Sequence, residues 1–265
     1  MYKKIVAFSL AVVMMVSCTT VPITGRRQFN LVSDAEMQQQ SYAAYQQVIS
    51  ESKLSRDAQA TAMVKRVGQR VQKAVEQYMA QNNLSNELKG YQWEFNLIED
   101  DQINAWAMAG GKTAVYTGIL PIAQNETGLA VVMGHEIAHA IAKHSNERAS
   151  QQLAQQFGGA TLSALAGSQP GTTQNLMMAV YGVGSQLGLL KYGRNQESEA
   201  DHLGLIFMAM AGYNPQAAVP FWQRMEQQAG GAGTPEFLST HPSSGTRQKD
   251  LQQWMPEALK YYKGN

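Results

Sequence analysis

The chain has 265 residues, 44% of them hydrophobic, with 21 Lys and Arg against 20 Asp and Glu for a formal net charge of +1. That length buries one large core, and the near-neutral balance gives no case for nucleic acid or for a highly charged partner. With no internal repeat or long low-complexity run, repeat architectures are excluded as well.

Lys3 and Lys4 precede an apolar stretch from Ile5 to Val16, too short to span a bilayer as a helix and suited to a signal-peptide core, so residues 1–17 are set aside from the fold. Ser17-Cys18 resembles the end of a bacterial lipobox, in which the cysteine is lipidated, although Met15 is an unusual choice three residues before it; the alternative is an ordinary secretory signal and a stray Cys. Cys18 is the only cysteine, and its lipidation leaves a mature chain with neither thiol nor disulfide, as suits an oxidising compartment. Thr19 and Thr20 place no acid after it, so the expected location is the outer membrane of a Gram-negative cell, facing the periplasm. Losing residues 1–17 removes Lys3 and Lys4 and no acid, which moves the formal charge from +1 to −1. Residues 18–32, with Pro22, Gly25, Arg26 and Arg27, read as a tether, and residues 33–265 as one domain.

Ser33 with Glu36 three residues later forms a capping box and predicts a helix from Asp34 to about Ser50. A second helix begins near Asp57. Val64, Val67, Val71, Val75 and Tyr78 share one of its faces while Lys65, Arg66, Gln69, Arg70 and Lys73 lie elsewhere, the pattern of a packing helix with a solvated basic face. Tyr91, Trp93, Phe95 and Leu97 alternate with Gln92, Glu94 and Asn96, the period of a strand with one buried face. Asn104 to Met108 and Thr113 to Thr117 read as two further strands about a turn at Gly110-Gly111, giving a small antiparallel sheet. An edge strand there either holds an extended peptide by backbone hydrogen bonds or is purely structural.

His135-Glu136-Ile137-Ala138-His139 follows directly. Two imidazoles four apart lie on one helical face and reach one ion, with Glu136 aimed at its bound water, which is what a catalytic zinc site needs from a helix. Asn125, Glu126 and Thr127 mark the helix start, and Leu129, Val132, Met133, Ile137, Ala140 and Ile141 recur at helical spacing, so the motif sits mid-helix and buried. A buried carboxylate between two histidines needs a cation or an equivalent partner. His144, off the two-histidine stripe, reads as structural. Gln151 to Leu190 reads as two helices around a break at Gly167-Ser168-Gln169-Pro170-Gly171, its Met-containing part as packing or as a wall facing substrate. In the next helix Glu197 and Asp201 share a face while Glu199 points away. Beside the upstream motif, that face offers a third zinc ligand and an acid that accepts a hydrogen bond from a ligand histidine. His202 points about 100° off it.

These patterns in order, His135-Glu136-x-x-His139, Glu197-x-Glu199-Ala200-Asp201 and His241-Pro242 with Arg247 six residues after the histidine, closely resemble the gluzincin metallopeptidases related to the CAAX prenyl proteases. Val21-Pro22-x-Thr24-Gly25-Arg26-Arg27, Asn104-Ala105-Trp106-Ala107 and Gly110-Gly111 match short bacterial periplasmic members. The resemblance implies a zincin-like fold, mainly α with a small antiparallel sheet (α+β). It implies one Zn2+ per chain on His135, His139 and Glu197, support of the ligands by Asp201, and His241 and Arg247 as donors to the developing oxyanion. It also puts Asn104, Ala105, Gly110 and Gly111 beside substrate. The spanning helices of the family's integral-membrane branch and the helical-repeat domain of its longer periplasmic members are not expected here.

On this reading Glu136 takes a proton from the attacking water and returns it to the leaving nitrogen. His241 follows the segment Gly230-Gly231-Ala232-Gly233 and has three readings: a plug in the open zinc position, an oxyanion donor, or a side chain bonded only to nearby backbone. The expected function is an endopeptidase acting on unfolded or misassembled envelope proteins. The alternative is an envelope assembly or binding factor with a chiefly regulatory metal, which has no use for the base that Glu136 supplies.

Overall fold

The computed structural model describes residues 18–157, 192–228, 235–242 and 245–264. The signal segment and the greater part of the Met-containing stretch, read as two helices around a loop, lie outside the described residues. Most of the rest is helical, with two small sheets, the α+β class expected. No described helix is long and apolar enough to cross a membrane.

Strands β1 (Cys18–Thr20) and β2 (Arg27–Phe29) pair antiparallel, and the chain between them turns on a bond from the Gly25 amide to the Val21 carbonyl at 2.8 Å. Val21 is fully buried in the main core. Much of what reads as a tether is therefore docked on the domain; three-residue strands are too short for alternation to announce them.

Helix α1 (Asp34–Glu51) starts where its cap signals, Ser33 Oγ accepting from the Glu36 amide at 3.2 Å. Helix α2 (Ala58–Gln81) starts the same way on Asp57, and its Val64, Val67, Val71 and Val75 are fully buried. Strands β3 (Glu94–Ile98), β4 (Ala105–Met108) and β5 (Lys112–Tyr116) form a sheet in the order β3-β5-β4. β4 and β5 are the expected antiparallel hairpin, with Gly110 and Gly111 at φ of 86° and 87°, a conformation side chains resist. β3 departs from expectation by running parallel to β5, with Phe95 opposite Thr113 and Leu97 opposite Val115. The sheet is mixed because alternation assigns a strand its faces and not its neighbours: β5 comes last and fills the slot between β3 and β4. Every residue of this middle strand is buried, and Glu94 neutralises Lys112 across the register at 3.0 Å.

The sheet is a layer between helices. Trp106, Met108, Ala114 and Tyr116 pack toward α1, while Phe95, Leu97, Ala105, Ala107 and Val115 join the larger core with α2 and helix α3 (Glu126–Ile141). α3 is capped by Asn125 and buried at every residue from Gly128 to Ile141. A helix buried all round belongs at the centre of a domain, and α3 lies between β4 and a later helix. Helix α4 (His144–Phe157) follows it, and helix α5 (Arg194–Met210) crosses it. At the crossing, a Cβ on Gly134 would stand 3.0 Å from the Gly204 carbonyl oxygen, and one on Gly204 would stand 3.0 Å from the His135 nitrogen. Glycine at both positions lets the two backbones come this close. Helices α6 (Ala218–Gln228), α7 (Glu236–Thr240) and α8 (Arg247–Tyr261) complete the fold, α8 against α5.

Candidate metal centre

The close crossing of α3 and α5 brings His135 and His139 against Glu197, and the C-terminal end of α7 adds His241. One donor atom from each of these four buried residues lies within 4.8 Å of the others. His135 Nε2 and His139 Nε2 are 3.0 Å apart, His135 Nε2 and His241 Nδ1 3.3 Å, His139 Nε2 and Glu197 Oε1 3.4 Å, and His241 Nδ1 and Glu197 Oε1 3.0 Å. Zinc bound tetrahedrally at about 2.0–2.2 Å requires donors about 3.4 Å apart, so the set fits that ion. His135, His139 and Glu197 are the three expected ligands. His241 stands beside them as a fourth donor.

A second ring of groups holds these donors. Asp201 Oδ1 lies 2.9 Å from His135 Nδ1. Arg247, 1% exposed, donates from Nε to Asp201 Oδ2 at 2.7 Å and from Nη2 to Glu197 Oε2 at 2.6 Å, with its guanidinium 4.1 Å from the centre of the Trp222 ring. Arg247, expected as an oxyanion donor, gives Nε and Nη2 to the acids of α5, because it opens the helix that packs on α5. Its work here is to hold a ligand and that ligand's neighbour in place.

The electrostatics separate the acids. Burial disfavours a charged Glu197, but His241, His135 and His139 outweigh it and hold the carboxyl well below its ordinary range. Burial pushes the Glu136 carboxyl up, with only partial relief from His241 and His135, the direction a general base near neutral pH needs. Burial also lowers His135, yet Asp201 and Glu197 reverse this and carry it to about 9. His139, without Asp201 beside it, stays well below its usual value under burial.

Residues 65–255 match the model of peptidase family M48. The chain belongs to that family. It is 35% identical over 242 residues to the mitochondrial metalloendopeptidase OMA1 of Schizosaccharomyces pombe, covering 90% of this chain and 66% of that protein. It is 34% identical over 176 residues to the human metalloendopeptidase OMA1, 63% of this chain and 33% of the relative. With the beta-barrel assembly-enhancing protease of Escherichia coli (strain K12) the identity is 32% over 169 residues, 60% of this chain and 34% of the relative. The chain thus spans between about a third and two thirds of the length of these relatives. The M48 match takes in all four donors, Glu136, Asp201 and Arg247, and the buried cluster is a group able to hold the zinc ion of such a metallopeptidase.

The other expected residues divide. β4 is an edge strand of the sheet and runs beside α3. The Asn104 and Met108 carbonyls accept from the Tyr116 and Gly111 amides, so the alternation of an antiparallel ladder turns the main-chain groups of Ala105 and Ala107 outward. Asn104 itself is buried, its side chain accepting from the Ala105 amide at 2.9 Å. Gly110 and Gly111 belong to the turn: their carbonyls accept from the Gln92 and Glu94 amides, and a Cβ on either would strike Tyr42 or Trp93. The amide of Phe237 donates to the Ile103 carbonyl at 3.2 Å, which ties the helix carrying His241 to the entry of β4.

Two neighbours of the cluster, one aromatic and one cationic, carried no sequence signal. Tyr192 lies over the His139 ring with centres 3.9 Å apart, and Arg148 covers the Tyr192 ring at 3.7 Å. His144 and Glu199, read as structural and as pointing away, meet each other at 2.9 Å, and His144 reaches His139.

Proposed function

We propose that this M48 protein is a zinc endopeptidase that cleaves unfolded or misassembled envelope proteins, anchored by lipidated Cys18 at the outer membrane with its site facing the periplasm. Glu136 carries the reading. It is a fully buried carboxylate whose Oε1 has no hydrogen-bond partner among the described residues, and such a group is retained at a cost only where it is used. Zinc held by His135, His139 and Glu197 would acidify the attacking water and polarise the scissile carbonyl. Glu136 takes the proton from that water and delivers it to the leaving nitrogen. The outward carbonyl of Ala105 and the outward main-chain groups of Ala107 pair with an extended segment and make no demand on its side chains, which selects for unfolded chain over sequence. Similarity to a beta-barrel assembly-enhancing protease supports an envelope substrate, and the lysine-led apolar segment before Cys18 supports the location.

Zinc-loaded mature protein should digest a denatured β-barrel envelope protein and spare its folded form. Glu136→Gln should keep the metal and lower kcat/KM by about 10²–10⁴. Hydrolysis undiminished in that variant would remove Glu136 from the chemistry. Equal suppression of aggregation by both proteins with no cleavage by either would favour the binding factor.

A further inference from the structure

We infer that the N-terminal turn Thr24–Arg26 is a working part of the zinc site, positioning the ligand His139 through a hydrogen-bonded relay of Glu199 and His144. The inference rests on the zinc reading and concerns residues that reading does not use.

The directions of the relay are forced. His139 offers Nε2 to the cluster, so its ring proton is on Nδ1. That proton points at His144 Nδ1, 2.8 Å away. His144 Nδ1 must accept, so the His144 proton is on Nε2, which lies 2.9 Å from Glu199 Oε2. A carboxylate only accepts, and Glu199 accepts twice more, from Arg26 Nε at 2.6 Å and from the Thr24 hydroxyl. Reversing any link sets two protons or two lone pairs against each other in a buried place. Arg26 is fixed in turn by Glu147, 2.9 Å away on α4, and Glu147 also accepts from Gln196 of α5 at 2.7 Å.

The state of each group agrees. Burial keeps His144 below its usual value. Against burial, His144, Thr24 and Arg26 hold Glu199 down at about 2. The two histidine ligands are thus served by matching arms. His135 reaches Asp201 directly and Asp201 is held by Arg247. His139 reaches Glu199 through one imidazole, and Glu199 is held by Arg26. Acids that orient ligand histidines typically account for about 10–100-fold in metal affinity. Thr24 and Arg26 are positioning residues in this sense, supplied from outside the segment that bears the ligands.

The test measures zinc affinity by chelator competition, the visible spectrum of the cobalt-substituted protein, and kcat apart from KM, in the full mature chain. Arg26→Ala, Thr24→Ala and His144→Phe should each bind zinc about 10–100-fold more weakly, shift the cobalt bands and lower kcat with little change in KM. Thr24→Ser, which keeps the hydroxyl, should restore all three readouts, and Arg27→Ala, next to the relay and outside it, should match wild type. In the His144→Phe background, Arg26→Ala should add no further loss, because the link is already cut. Additive losses, or wild-type affinity and cobalt spectrum in Thr24→Ala and Arg26→Ala, overturn the relay. Should Arg26→Ala not fold, the exposed Thr24 pair decides alone. A wild type that takes up no zinc overturns the zinc reading itself, a different outcome from zinc-binding variants that show no change.

Discussion

With Arg247 replaced by methionine, the volume over Trp222 is roughly kept and only the charge and its bonds are lost. Two buried carboxylates, Glu197 and Asp201, accept from this guanidinium, and the variant leaves both without that cation. Removing one partner of a buried ion pair costs about 3–5 kcal/mol. For a domain of this size each kcal/mol lowers Tm by about 2–4 °C, so Arg247→Met should melt roughly 6–20 °C below wild type. The assay is a circular-dichroism melt at saturating zinc. Asp201→Asn in the same background removes one of those two charges and keeps an oxygen that accepts from His135, so the double variant should lose less stability than the two single losses together. An Arg247→Met protein melting within about 2 °C of wild type, or strict additivity in the double variant, would refute the charge pairing.

His241→Ala should keep zinc on its three remaining ligands and cleave unfolded substrate several-fold faster, since substrate no longer displaces a fourth donor; a lower rate with zinc unchanged would make His241 an oxyanion donor instead. Glu197→Ala, or treatment with a strong chelator, should strip zinc and abolish cleavage, and added zinc should restore only the chelated wild type. Glu199 is depressed to about 2 from 4.5, so its contribution is complete above about pH 4.5 and is lost as pH falls toward 2. Melts between pH 5 and 2.5 should accordingly fall less steeply for Glu199→Gln than for wild type. Cys18→Ser should move the protein out of the membrane fraction or leave it unprocessed, and wild type recovered as soluble periplasmic protein would rule the anchor out.

The sequence showed what depends on local pattern. Ser33 and Asp57 marked helix starts because a cap is a short-range bond, and His135, Glu136, His139 and Glu197 were readable because helical spacing alone sets which residues share a face. Partners were not readable. Alternation could not tell that β3 pairs with β5 in parallel, nor could a six-residue spacing tell that Arg247 turns to Glu197 and Asp201. Glu199 did point away from the ligand face, as expected, but what it points toward depends on where a hairpin of two three-residue strands docks.

The Gly134–Gly204 crossing and the arms of the zinc site draw on the chain from Arg26 to Arg247. During synthesis, His135, Glu136 and His139 leave the ribosome well before Glu197 and His241 exist to complete the ligand set. A half-made copy therefore carries the base and two imidazoles without a hydrolytic centre.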